Sequence, residues 1–417
     1  MNVKIPVPKP LKILSKNLSS SIYLVGGYVR DYILYGKISS DVDFCAPILV
    51  EEIEKIAKSL GFIILATYKK TGTLKLRYGN QAFEYTSFRT EEYSSGGVHT
   101  PNTVTFTTDI RKDAKRRDFK CNAVYYDVKN DKIVDVLGGA VDIKNKVLST
   151  VVAPEKVFVH DGLRLMRLAR FSAFLSLEVP KRVLAVARKY KNLILDVTPD
   201  RIKEELLKIL NGNEEIAYNG LSVLEKIGVL DLLFSRNSAK YCKANLFDAV
   251  CALKPELRFF ALCFLRSANL ESAIEKLEFY KIAKTKVKAI RSALVLLYAF
   301  FGSALKTSRI KRLILDNFIG FNDFLTMATA VTGVIKAKKM LNARLQTWQK
   351  IKREIELKKL PIGYNDLELS AKELIELGVE PRKIKSALGY LLFACQKNPK
   401  LSRKKKLIAI LRKKGLV

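Results

Sequence analysis

Apolar and polar positions follow two rhythms along this chain, and the change between them divides it. Over roughly the first 140 residues the pattern is mixed. Short apolar stretches bounded by Gly, Ser and Asp predict strands at Tyr23–Val25 and Val42–Phe44, and two-residue alternation predicts strands at Thr73–Tyr78 and Gln81–Phe88. Glu51–Leu60 has helical spacing, and Ala123–Val128 with Lys132–Val136 predicts a hairpin turning at Lys129-Asn130-Asp131. Tyr93–Asn102 (YSSGGVHTPN) carries Ser, Gly and Pro and reads as a mobile loop. From Pro154 onward strand signals nearly vanish, and helical patterns follow one another over Phe158–Leu175, Lys181–Tyr190, Pro199–Leu210, Leu221–Phe234, Glu256–Leu265, Lys286–Phe301, Ile310–Val331 and Ile335–Leu357. The pattern therefore predicts an α+β chain in which a small mixed sheet with helices precedes a long all-helical remainder.

Composition narrows this picture. With 417 residues and 48% hydrophobic content the chain has material for the cores of several domains. No apolar run reaches the ~18 residues of a membrane span, and Met1–Ser21 lacks an apolar secretory core, so a cytoplasmic protein without a membrane partner is expected. The six cysteines form no CxxC pair and are expected as buried, reduced thiols. Seventy-four Lys and Arg against 41 Asp and Glu give a net charge of +33, which favours a polyanionic partner, most simply nucleic acid. The excess is uneven: Gly333–Val417 holds 22 basic and 7 acidic residues. Lys336, Lys338, Lys339 and Arg344 on a predicted helix, and the cluster Arg403-Lys404-Lys405-Lys406, are candidate RNA contacts.

The chemistry concentrates near the N-terminus. Leu24-Val25-Gly26-Gly27-Tyr28-Val29-Arg30-Asp31 places two small residues before a predicted helix start, where backbone N–H groups approach a phosphate. Arg30 is suited to clamp phosphate oxygens, with Asp31 orienting it or capping backbone N–H groups. Asp41 and Asp43, at i and i+2 on a predicted strand, project from one face and can hold divalent metal ions bound to a triphosphate. Glu84, between apolar neighbours on another predicted strand, is a candidate third carboxylate. Arg116-Arg117-Asp118-Phe119 with Asn122 forms a second cluster, the arginine suiting a triphosphate and the Asp and Asn suiting ribose hydroxyls.

Taken in order, LVGGYVRDYILYG…DVDF, FEYTSFRTEEY, RRDFKCNAVYYD, HDGLRLMRLARF and DRIKEELLKIL resemble the motifs of class II tRNA nucleotidyltransferases, the family of CCA-adding, A-adding and CC-adding enzymes and bacterial poly(A) polymerases. The resemblance is strong over residues 22–211 and weaker beyond, although LPIGYNDLELSAKELIELGVEP looks like the family's tail segment. It implies a head over 1–145, a neck over 146–220, a body over 221–332 and a tRNA-binding tail over 333–417. It also implies two Mg²⁺ ions, CTP and ATP as substrates, and the acceptor and TΨC stem at the tRNA 3′ end as partner; it leaves the oligomeric state open. By motif, Asp41 and Asp43 match the metal ligands, Gly26, Gly27 and Arg30 the phosphate-binding turn, and Arg117, Asp118 and Asn122 the sugar and phosphate contacts.

Asp161 and Arg164 match the family's amino-acid template for the incoming base. At i and i+3 on a predicted helix they share one face, one an acceptor and the other a donor. Cytosine and adenine each set an exocyclic amine beside an unprotonated ring nitrogen, so one such pair serves both and rejects uracil and guanine. Arg167 and Arg170 continue this helix as further candidate nucleotide contacts, while Arg201, Glu204 and Glu205 are expected to brace the neck. His160 stands where the family usually has Glu before the template Asp, and His99 stands in the loop where relatives often carry Arg. The expected activity is template-independent addition of CCA to tRNA. An A-adding enzyme or a poly(A) polymerase shares nearly every motif, and a non-catalytic RNA-binding protein is the alternative from another class.

Overall fold

The N-terminal alternation becomes a seven-stranded mixed sheet. The computed structural model describes residues 3–92, 102–234, 246–282, 284–335 and 337–417. These fall into two compact units, Met1–Arg236 and Asn237–Val417. In the first unit, α1 (Lys9–Lys16) precedes β1 (Tyr23–Val25), α2 (Gly27–Tyr35), β2 (Val42–Ala46), α3 (Val50–Ser59), β3 (Ile63–Tyr68), β4 (Thr73–Tyr78) and β5 (Gln81–Ser87). A separate hairpin of β6 (Arg89–Glu92) and β7 (Thr103–Phe106) leads to α4 (Ile110–Arg116), β8 (Tyr125–Asp127), β9 (Lys132–Val134) and α5 (Gly139–Lys144). The sheet order is β3-β4-β5-β2-β1-β8-β9, with β2 and β5 parallel and every other pair antiparallel.

One face of the sheet is the core. Leu74 and Leu76 on β4, Phe83 and Tyr85 on β5, and Val42 and Phe44 on β2 are buried, and α3 packs against β3, β4 and β5 with Val50, Ile53 and Ala57 inward. Residues between these inward positions emerge on the other face, as two-residue alternation requires. The turn after β8 is closed by Asp127, whose carboxylate accepts the Lys129 and Asn130 backbone N–H groups at 2.9 and 3.0 Å.

The predicted strands are all present, and β3, β6 and β7 add to them. The helix expected over Phe158–Leu175 is two helices, α6 (Pro154–His160) and α7 (Leu163–Leu175), with Asp161 and Gly162 between. α8 (Lys181–Lys189), α9 (Pro199–Leu210), α10 (Glu214–Lys226) and α11 (Val229–Leu233) complete the described part of this unit, and α7 packs on α9 and α10. The expected helix over Leu221–Phe234 is likewise divided, because Gly228 takes a left-handed conformation between α10 and α11.

The described part of the second unit is helical, from Leu246–Cys251 to Lys404–Lys413. Phe264, Phe300, Phe301, Phe324 and Trp348 form a chain of ring contacts at 4.8–5.7 Å, and Leu369, Leu374, Leu391, Leu407 and Leu411 belong to a separate apolar cluster near the C-terminus. The helix expected over Ile310–Val331 is divided into Thr307–Asp316 and Phe321–Val334. Among the described residues no helix is long and apolar enough to cross a membrane. The five described cysteines are buried and make no disulfide.

Candidate active site

A cleft of about 1080 Å³ opens in the first unit. Gly26, Gly27, Arg30, Asp41, Asp43, Arg117, Asp118, Asn122, Asp161, Arg164, Arg167 and Arg170 all line it. Glu84 is the one sequence-predicted site residue outside that lining.

Its floor is built by β1, β2 and the turn into α2. Gly26 has φ 73°, and a Cβ there would sit 3.2 Å from Asp43 Oδ2. Glycine thus supplies both the backbone conformation and the room for a carboxylate beside the turn. Asp43 lies on β2 opposite Val25, and its parallel neighbour on β5 is Glu84. Its side chain keeps exposed area, but the depth of the cleft governs its chemistry. Loss of hydration, reinforced by the negative charges of Glu84 and Asp41 against the opposing Arg117, pushes its carboxyl up to about 6. Oxygen donors carrying excess negative charge suit a hard divalent cation, which commonly takes one or two protein carboxylates and completes its shell with water and phosphate. Among the described residues no three His, Cys, Asp or Glu side chains converge to hold a metal. The expected third carboxylate, Glu84, lies beside Asp43 on the neighbouring strand and there pairs with Lys75 on β4 at 3.5 Å.

A connected network forms the wall beside the turn. Arg30 donates from Nε to Asp31 Oδ1 at 2.7 Å and from Nη1 to Asn122 Oδ1 at 2.6 Å. Asn122 donates to Asp118 Oδ1 at 3.0 Å, and Asp118 Oδ2 accepts from Arg167 Nε at 2.7 Å. Burial alone would raise the Asp118 carboxyl, but Arg167, the Asn122 hydrogen bond and Arg164 hold it well below the usual carboxylate range. The guanidiniums of Arg30, Arg167 and Arg170 stand 5.1, 5.0 and 4.3 Å from the Phe171 ring centre. Arg170 is tied in turn to the buried Glu205 at 3.1 Å. Three cations on one ring repel one another; the carboxylates of Asp31, Asp118 and Glu205 offset this, and an anion in the cleft offsets it further.

Arg117 belongs to a second network. It donates to Asp113 Oδ2 at 3.2 Å and to the Tyr125 hydroxyl at 3.2 Å. Arg116 holds the other oxygen of Asp113 at 2.8 Å, so adjacent arginines at the end of α4 clamp one fully buried carboxylate. Burial opposes ionisation of Asp113, yet Arg117, Arg116 and the Tyr125 hydrogen bond hold it at about 2.

Around Asp161 and Arg164 the expected helical i, i+3 geometry is corrected. Asp161 lies between α6 and α7 in extended conformation, where its Oδ1 accepts the Leu163 backbone N–H at 3.0 Å. The helix is interrupted at Asp161, whose backbone is extended; Gly162 beside it is helical (φ −59°, ψ −25°) and lies against the backbone at Leu193, where a Cβ would fall 2.1 Å from the carbonyl oxygen. Asp161 Oδ2 pairs with Arg201 on α9 at 3.3 Å. Arg164, in the first turn of α7, donates to the Val157 carbonyl at 3.2 Å and the Arg116 carbonyl at 2.7 Å. Both residues are buried and face the cleft. Burial and the neighbouring Arg164 lower the His160 pKa, against the pull of Glu91.

Sequence reasoning missed Asp113 and Glu91, and it missed Phe171 as the seat of the arginine cluster. The i+3 and i+4 spacing of Arg116 and Arg117 from Asp113 was the available signal, whereas Phe171 is indistinguishable from core on a helical stripe. Arg201 does brace this region, through Asp161 itself. His99 lies outside the described residues.

Residues 22–149 match the poly A polymerase head domain, and residues 176–239 match the probable RNA and SrmB-binding site of polymerase A. The CCA-adding enzyme of Lactobacillus helveticus (strain DPC 4571) is 35% identical over 188 residues, 45% of each chain, and that of Staphylococcus aureus (strain MRSA252) is 34% identical over 204 residues, 49% of each. Over this half, the chain is similar to the poly A polymerase head domain and to CCA-adding enzymes. The match spans about half the length of these curated relatives. Across nearly the full length the fold is similar to solved structures. The CCA-adding enzyme of Bacillus stearothermophilus, solved in complex with CTP, aligns at a TM-score of 0.66 with 22% identity, covering 98% of both chains. A CCA-adding enzyme solved with ATP aligns at 0.65 with 19% identity, covering 98% of this chain and 96% of the other.

Proposed function

We propose that this protein adds C, C and A to the 3′ end of tRNA from CTP and ATP, without a nucleic-acid template. The observation that carries the proposal is a single cleft lined by an acidic pair, an arginine-rich anion wall and a buried Asp/Arg pair. Relatives of the matched half are CCA-adding enzymes, and similar folds have been solved with CTP and with ATP.

In this reading Asp41 and Asp43 hold two Mg²⁺ ions, and Glu84 adds negative charge beside them. The metal ions, when bound, activate the attacking hydroxyl and neutralise charge developing on the phosphates. Gly26 and Gly27 offer backbone N–H groups at the start of α2, whose dipole favours the same anion. Arg30 and Arg117 hold phosphate oxygens, while Asp118 and Asn122, already fixed by each other and by Arg167, hold the ribose. Arg167 and Arg170 supply positive potential from the Phe171 cluster. Asp161 accepts from the exocyclic amine of cytosine or adenine and Arg164 donates to the adjacent ring nitrogen. Uracil and guanine present the opposite donor–acceptor order and forgo both hydrogen bonds to this pair, at about 1–3 kcal/mol for each. The basic surface of residues 333–417 engages the tRNA acceptor and TΨC stem chiefly through phosphates.

The test is incorporation of single labelled nucleotides into tRNA ending at the discriminator base, with Mg²⁺ present. Two C followed by one A supports the proposal. ATP alone on that substrate identifies a poly(A) polymerase, and ATP accepted only after CC identifies an A-adding enzyme. No incorporation at all leaves an RNA-binding protein. Asp41→Asn and Asp43→Asn are each expected to abolish incorporation while leaving tRNA binding measurable.

A further inference from the structure

Among the described residues, the face of the sheet opposite α3 is exposed over Lys75, Arg77 and Ile63, and Arg89 of β6 reaches it at Thr73. Strand register carries a row from Asp43 on β2 to Glu84 on β5, Lys75 on β4 and Ala66 on β3. A second row runs from Ala82 to Arg77 and then Ile63. Lys75 and Arg77 are exposed, Ile63 is 51% exposed, and Tyr68 on the same edge strand is 52% exposed. An edge strand with exposed apolar and aromatic side chains beside two cations is an expensive surface to leave bare. The Lys75–Glu84 ion pair is half-exposed at both ends and gives up little when its lysine turns to another anion.

Reaction geometry says what covers this face. Phosphoryl transfer is in line, so attacking oxygen and leaving pyrophosphate lie on opposite sides of the reacting phosphorus. The phosphate-binding turn Gly26–Gly27 follows β1, on one flank of Asp43. The attacking hydroxyl therefore approaches from the other flank, over β5, β4 and β3. Strands are about 4.8 Å apart, which puts the Lys75 backbone about 10 Å from that of Asp43. That is within reach of the phosphates just upstream of a terminal nucleotide.

Resting on the nucleotidyl-transfer reading above, we propose that the open face of β4 and β3 is the seat of the acceptor strand. Lys75 and Arg77 hold the phosphates preceding the terminal nucleotide of a single-stranded RNA 3′ end, and Tyr68 and Ile63 pack against its bases. Single-stranded RNA suits the surface because bases on an open sheet stack on side chains while cations follow the backbone. The charge is complementary, and the face continues directly from the metal-binding carboxylates.

The test compares Lys75→Ala/Arg77→Ala with Lys55→Ala/Lys58→Ala, which removes equal charge from α3 on the opposite face. KM for an acceptor RNA and KM for CTP are measured over a range of salt concentrations. Loss of two phosphate contacts on a single strand raises the acceptor KM about tenfold near 0.15 M salt and flattens its salt slope by about 1.4. KM for CTP stays within about twofold, and Lys75→Arg/Arg77→Lys restores the acceptor KM. An unchanged acceptor KM and slope, or an equal rise in the α3 variant, overturns the platform while leaving nucleotidyl transfer intact. Absence of incorporation by the unaltered protein overturns the underlying reading instead.

Discussion

Asp113 and the Asp161/Arg164 pair show how buried charge works here at the scale of single residues. Asp113 is fully buried and answers two arginines, so removing its charge leaves Arg116 to Glu91 and Arg117 to the Tyr125 hydroxyl. Asp113→Asn is expected to cost about 3–5 kcal/mol in urea unfolding, the range for breaking a buried ion pair. Its carboxyl is held at about 2, below its unfolded value of about 4. The stability it contributes is therefore complete above pH 4 and lost as pH falls from there through 2. The asparagine variant should unfold with a visibly flatter pH dependence across that window, and an equally steep one would show that Asp113 is not the linked group. For Asp161→Asn the expected effect falls on choice rather than fold: the acceptor pattern is broken, and kcat/KM for CTP over UTP should narrow by roughly ten- to a hundredfold. Unchanged discrimination would remove the base-selecting role.

At the scale of elements, the break between α6 and α7 decides where Asp161 and Arg164 point. An uninterrupted helix would carry Asp161 and Arg164 one turn apart, both with the same tilt. Asp161 instead takes an extended backbone, accepts the Leu163 N–H and meets Arg201, while Gly162 beside it passes against the Leu193 carbonyl. Gly162→Ala should therefore lower stability by about 1–3 kcal/mol through overpacking against backbone. It should also impair CTP and ATP use together; a fully stable, fully active variant would show that the close approach is dispensable. The sequence carried the helical periodicity on both sides of this break but not the break, because Arg201, which Asp161 meets there, lies forty residues away in sequence and only packing brings it here. The extra strand β3 was missed for a related reason. As an edge strand it presents Ile63 and Leu65 to solvent, so its pattern lacks the inward-outward alternation that marked β4 and β5.

For the whole molecule the dominant property is charge, +33 in all, with 22 basic against 7 acidic residues after residue 332. Acceptor KM is expected to rise at least roughly tenfold between 50 and 200 mM salt, while KM for CTP changes far less. A flat salt response would remove the electrostatic account of RNA binding. Not every basic residue in that region serves RNA. Arg344 donates to the Phe300 and Gly302 carbonyls at 2.6 and 3.2 Å and so closes a helix end, whereas Lys338 and Lys339 are exposed; Lys336 lies outside the described residues. By itself the sequence determined the sheet-then-helix order, the glycine turn, the acidic pair and the family resemblance, because each rests on local spacing that survives whatever packs around it. Only tertiary structure decided that Glu84 turns to Lys75, that Asp113 anchors two arginines, that Phe171 gathers three, and which sheet face stays open. Those outcomes depend on strand register and on contacts between segments far apart in the chain, which local spacing does not encode.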